Sequence, residues 1–136
     1  MTLKNTDIYD ITIYNRQIID GRTDVIEEKN TGRYCLKNNK AYIMYENGGV
    51  SSTVIADGDT VKIKRNGQIS SDMLLKCGKK LPFMYRLPYG AMEMEAEASR
   101  IEAVFDENGG KLHAVYTLSV QGEEYYNDME INIVKR

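Results

Sequence analysis

One histidine, two cysteines and no apolar run approaching twenty residues are the short supplies of this 136-residue chain. Each scarcity removes a class of chemistry. With His113 alone the common zinc sites have no ligand set, and a serine, histidine and aspartate triad would have to be built on that one residue. His113 sits between Leu112 and Ala114, on the opposite face of its strand, where an exposed position is expected. Cys35 and Cys77 are far apart and have no histidine cluster beside them, so two free thiols in a reducing cytosol are expected. No stretch is apolar enough for a membrane span. The N-terminal MTLKNTDIYDITIYNR lacks the continuous apolar segment of a secretory signal, and no Asn-x-Ser/Thr acceptor occurs, so a cytoplasmic location is expected. Charge of one sign is lacking too: 18 basic side chains against 20 acidic ones leave a formal net charge of -2, with no reason to expect nucleic acid or a membrane as partner. The one basic run, Lys76-Cys77-Gly78-Lys79-Lys80, holds a single glycine, so it is no phosphate cradle and reads as a solvated turn. No cofactor and no metal are expected.

What the chain does have is turn chemistry and β-formers. Valine, isoleucine, threonine and ten tyrosines are plentiful, and five of the eleven glycines directly neighbour Asn or Asp. A chain of this length buries roughly two thirds of its unfolded surface, enough for one core and one domain over residues 1–136. Alternation predicts strands over Asp7 to Ile19, Thr23 to Glu28, Arg33 to Lys37, Ala41 to Glu46, Val50 to Ala56, Thr60 to Arg65, Gln68 to Leu75, a strand from Lys80, a long one after Gly90, Lys111 to Gln121 and Tyr125 to Val134. Asp20-Gly21, Asn30-Thr31-Gly32, Asn38-Asn39, Asn47-Gly48-Gly49, Asp57-Gly58-Asp59 and Asn66-Gly67 read as the turns between them. Tight turns of this kind join antiparallel neighbours, so the expected architecture is an all-β meander of about eight to ten strands, closed into a barrel to remove its edges.

Two segments stand out. Ala41 to Glu46, AYIMYE, is apolar on both faces, as in a central strand or a contact surface. After Pro88-Tyr89-Gly90, Met92, Met94, Ala96 and Ala98 share one face and Glu93, Glu95 and Glu97 the other, but from Ile101 the apolar set continues on the opposite parity through Ala103 and Phe105. A β-bulge near Ser99 absorbs the extra residue and bends the strand.

The stretch from Arg65 to Phe105, RNGQISSDMLLKCGKKLPFMYRLPYGAMEMEAEASRIEAVF, resembles the YwiB-like family, a domain-of-unknown-function group of small bacterial proteins, mostly from Firmicutes. The features that carry the resemblance are Arg65-x-Gly67 before a strand, Met73, the Pro88-Tyr89-Gly90 turn, the alternating strand after it, and the polar glycine loop leading to Tyr116-x-Leu118. It departs in the basic KCGKK loop and in Met92 and Met94. The resemblance implies a lipocalin-like, calycin-type barrel whose interior, in related families, holds a small apolar ligand. It brings no established activity.

The candidate residues follow from that architecture. Met73, Met92, Met94, Tyr116 and Met129 form an inward set that would line an adaptable apolar pocket or equally fill a core. Tyr85, Arg86 and Tyr89 flank the Pro-Tyr-Gly turn, where a guanidinium between phenols could gate a rim; alternatively Pro88 fixes the turn, Gly90 supplies an unusual backbone angle and Tyr89 packs over the barrel end. Arg100, beside the bulge, points either to a ligand or to solvent. The leading expectation is a non-catalytic barrel that binds a small apolar or amphipathic molecule inside. The alternative is a protein-interaction module, a homodimer for instance, acting through an outer face such as AYIMYE. A hydrolase or isomerase using tyrosine and arginine is the third, and no catalytic residue is named for it.

Overall fold

Short turns set the frame. Asn38 and Asn39 both take positive φ, 53° and 63°, the conformation that joins two strands through a two-residue hairpin loop. The computed structural model describes residues 7–136, so part of the N-terminal stretch read above lies outside the described residues. Among the described residues there are ten strands: β1 (Tyr9–Ile19), β2 (Arg22–Lys37), β3 (Lys40–Asn47), β4 (Val50–Asp57), β5 (Thr60–Gly67), β6 (Ser70–Lys76), β7 (Lys80–Leu87), β8 (Gly90–Asp106), β9 (Gly109–Val120) and β10 (Glu123–Lys135). Every strand pairs antiparallel with its neighbours in sequence, and β1 pairs with β10, from Tyr9 opposite Lys135 to Ile18 opposite Tyr126. The result is the expected single closed meander barrel.

β2 differs from the expectation. Asn30, Thr31 and Gly32 do not turn the chain; they continue one strand of 16 residues, paired with Ile11, Asp10 and Tyr9 of β1. The glycine of this triplet is required by crowding. A Cβ on Gly32 would overlap the Met44 carbonyl oxygen and lie 2.8 Å from Ile11 Cδ1, so only glycine lets β1, β2 and β3 approach each other at this point.

In β8 the expected bulge is present: the register with β9 shifts between Ala98 and Arg100, so Ala98 faces Tyr116 and Arg100 faces Val115. Ala96 and Ala98 before it and Ile101 and Phe105 after it all join the core. A one-residue slip without the bulge would have turned half of that set to solvent.

The two ends of the barrel differ. At the end that holds the β2–β3, β4–β5 and β8–β9 connections, Tyr34 lies between two rings, 5.3 Å edge-on to Tyr9 and 5.8 Å stacked on Phe105. Its hydroxyl donates to the Asp106 carbonyl oxygen at 2.6 Å, and Tyr9 donates to that of Glu107 at 3.4 Å. The aromatic plug therefore holds the β8–β9 loop as well as filling the end. Above it Ile11, Ile43, Val54, Val61, Leu75, Leu112 and Ile131 are fully buried. This half of the interior is solid core.

One joint in the wall is weak. The β6–β7 ladder holds Ser70 opposite Arg86 and Ser71 opposite Tyr85, and backbone pairing resumes only at the bridge between Lys76 and Lys79. Between these points β7 carries Pro82, which has no N–H to offer a ladder. The end of β6 reaches past β7 to β8, where Gly78 N–H donates to the Ala98 carbonyl oxygen at 3.0 Å.

Candidate functional site

The other end is polar inside. Because residues opposite each other share a face, the registers place Tyr45, Ser52, Arg65, Ser71, Tyr85 and Met92 on one inward rung running across β3 to β8. The rung below it, Ile43, Val54, Ile63 and Met73, is buried core. Arg65 thus sits one layer above the apolar interior. With Glu28, Tyr45, Asn47, Val50, Ser52 and Ile69 it lines a half-open cup of about 220 Å³. Asn47 Nδ2 donates to Glu28 Oε1 and to Asn30 Oδ1, both at 3.0 Å, and so fixes the acidic side of the cup.

Burial pushes the Tyr45 phenol above its ordinary pKa, while the Ser52 hydrogen bond and the Arg65 charge pull it partway back. Tyr116, fully enclosed, is likewise raised by burial and eased down by Arg65. Both phenols therefore remain neutral donors through the physiological range.

On the opposite wall Asn127, 1 % exposed, accepts hydrogen bonds at its Oδ1 from Asn15 Nδ2 at 3.1 Å and Gln17 Nε2 at 3.0 Å, and donates to the Tyr125 carbonyl oxygen at 3.0 Å. Asn15 Oδ1 and Asn30 Nδ2 are buried and find no hydrogen-bond partner among the described residues. The open half of the interior is thus polar on β1, β2, β4, β5 and β10, and lined by Tyr85, Met92, Met94 and Leu118 on β7 to β9.

The residues singled out from the sequence divide between inside and outside. Met73 and Tyr116 are buried in the core, as is Met129; Met92, Met94 and Tyr85 are half-buried on the inner face near the open end. Arg86 faces outward beside Met84, in a surface depression shared with Lys64 and Asp72, because its parity in β7 is that of Pro82 and Met84. Arg100 also faces outward, bonded to Glu102 at 2.8 Å. The Pro-Tyr-Gly turn does lie at the open rim, but Tyr89 is 86 % exposed and packs over nothing, and Gly90 is absent from the positive-φ residues, so it supplies no unusual angle. His113 is not exposed as expected: it is half-buried on the outer face, with Nε2 2.7 Å from Asp128 and Nδ1 3.5 Å from Glu102. Arg100 and His113 together hold the Glu102 carboxyl below the usual carboxylate range, the Arg100 hydrogen bond most strongly. In AYIMYE, Ala41 and Ile43 are core and Tyr45 joins the cup, which leaves Tyr42, Met44 and Glu46 on the outer face. Cys35 and Cys77 are free thiols.

Arg65, Glu28, Ser52 and Asn47 were not among the candidates. A signal for Arg65 exists in the sequence: it shares parity with Val61 and Ile63, so a charge stands on the inward face of β5. Glu28 gave none, because the turn expected at Asn30 hid the phase of β2.

The family model described as a domain of unknown function, DUF1934, matches residues 11–133, nearly the whole barrel. The chain belongs to this family. Among its relatives is the uncharacterized beta-barrel protein YwiB of Bacillus subtilis (strain 168), 28 % identical over 128 residues that cover 89 % of this chain and 90 % of YwiB. The crystal structure of the ywiB protein from Bacillus subtilis superposes with a TM-score of 0.88 at 23 % identity, covering 96 % of this chain and 92 % of that one. The likeness shows a shared fold.

Proposed function

We propose that this barrel is a binding protein for a small amphipathic molecule, taken up at its open end. The observation that carries the reading is the two-toned inner rung, where Arg65, Ser52 and Tyr45 face the same opening as Tyr85 and Met92, directly above a filled core. An inward guanidinium above an apolar layer loses water and is costly unless a counter-charge meets it, so the rung is better suited to a guest than to the empty barrel. The cup of about 220 Å³ holds a polar head rather than a whole drug-sized ligand. The remainder of the guest lies along Met92, Met94, Tyr85 and Leu118, where methionine adapts to an irregular apolar shape. In this reading the ligand lies at the mouth and not in the deep interior, with Tyr85, Met92 and Met94 in contact and Met73 and Tyr116 as floor. Arg86, Tyr89 and Arg100 have no part in it.

Native mass spectrometry of freshly purified protein tests the proposal. The expected spectrum carries a small co-purifying mass that denaturation releases, and Met92→Glu, which puts a charge on the apolar wall, loses it. A ligand-free spectrum, together with unmoved open-end amide resonances when amphipathic probes are added, would overturn the reading.

A further inference from the structure

We infer that the polar head of the guest is a zwitterion, a primary ammonium and a carboxylate on one small group as in an α-amino acid with an apolar side chain, with its carboxylate on Arg65 and its ammonium on Glu28. The inference rests on the binding role proposed above and adds the chemistry of the head. Arg65 and Glu28 line the same cup with opposite charges, yet neither takes part in an ion pair among the described residues, with each other or with any other side chain. Both are half-buried, so each charge is partly stripped of water.

The acidic side is set up to receive a donor. Asn47 occupies Glu28 Oε1 and holds the carboxylate in place, and a carboxylate accepts further bonds through its remaining lone pairs. The basic side is set up to receive an acceptor. A guanidinium offers a planar fork that matches a carboxylate bidentately, and the Ser52 hydroxyl lies directly across the ladder from Arg65, with Tyr45 one strand further. Tyr45 stays protonated and can donate as well. A plain anion would satisfy Arg65 but meet Glu28 with like charge; a plain cation would do the reverse. A zwitterion leaves neither charge unmatched. Asn30, whose Nδ2 is buried without a partner, belongs to the same network, because its Oδ1 accepts from the Asn47 amide that also holds Glu28. On the same rung Tyr85 and Met92 provide the apolar wall for the side chain of such a head.

Amide-shift titrations and calorimetry on the full chain with three probes of one chain length, 2-aminooctanoate, octanoate and octylamine, separate the possibilities. The expected result is that 2-aminooctanoate binds at least about tenfold tighter than either single-charge probe, the gain from a second charge-assisted contact. Arg65→Gln is expected to lower it to the level of octylamine, and Glu28→Gln to the level of octanoate, with folding checked by the dispersion of the amide spectrum. Should Arg65→Gln fail to fold, Arg65→Lys keeps the charge but not the fork and is expected to lose part of the affinity. Octanoate binding as tightly as 2-aminooctanoate, with Glu28→Gln indifferent, overturns the zwitterion and leaves the amphipathic binding role standing. Open-end amides that move for none of the three probes overturn the inference, and with a ligand-free native mass spectrum they overturn the wider proposal too.

Discussion

Tyr34 is the centre of the aromatic plug that closes one end of the barrel, between Tyr9 and Phe105. Burial is the main reason its pKa is pushed up from 10.0 to about 12, with the Asp106 carboxylate adding to it. A phenol whose folded pKa lies above its unfolded one stabilises the fold fully below pH 10.0, and that contribution disappears as pH rises through the interval up to about 12. Urea midpoints measured across that interval are therefore expected to fall, and to fall less steeply in Tyr34→Phe, which has no proton to lose. Parallel slopes for the two proteins would show that the ionisation of Tyr34 carries no such linkage. Gly32 makes a steric argument of the same local kind. Gly32→Ala forces a methyl group against the Met44 carbonyl oxygen, whereas Gly90→Ala meets nothing within 4 Å. The first is expected to cost about 2 kcal/mol in denaturant unfolding and the second less than about 0.5 kcal/mol. Equal costs would mean that β2 can move away from β3 more freely than the packing allows.

At the scale of elements, β7 is held much less firmly on its β6 side than on its β8 side. Two ladder pairs hold it to β6, against eight that hold it to β8. Amides of Met73 to Leu75 and of Phe83 and Met84 that point into this joint are expected to exchange hydrogen at least about tenfold faster than those of Leu112 to Tyr116 in β9. Residue-resolved exchange that finds uniform protection would show the joint closed by contacts other than the ladder. Strand β8 shows how far a sequence can be read. Its phase slip is visible because alternation is a local pattern, and Ala98 and Ile101 lie on opposite parities with only two residues between them. The same parity puts Arg86 outside with Met84, although its nearness to the turn suggests the rim. In β2 local chemistry misleads. Asn30-Thr31-Gly32 has turn composition, but its glycine is required by the backbone of β3, which no nearby residue reveals.

For the whole molecule, the closed meander was legible because every connection is short and turn-rich, which leaves little choice of topology. The mouth was less legible. Its rung is assembled from single residues of β3 to β8, each one unremarkable on its own strand, and only the register brings Tyr45, Ser52, Arg65 and Tyr85 to one level. Closure through β1 and β10 also bears on how the protein is made. On the ribosome β1 emerges before the other strands of the barrel and its second partner after them, so Tyr9, Ile11 and Ile13 wait for Lys135, Ile133 and Ile131 with an unpaired edge beside them. Until β10 is free, a nascent chain presents a nine-strand open sheet with its apolar face uncovered, the state in which a chaperone or another copy of the chain competes for that edge. Folding is therefore completed only after translation of β10, however early the first hairpins form.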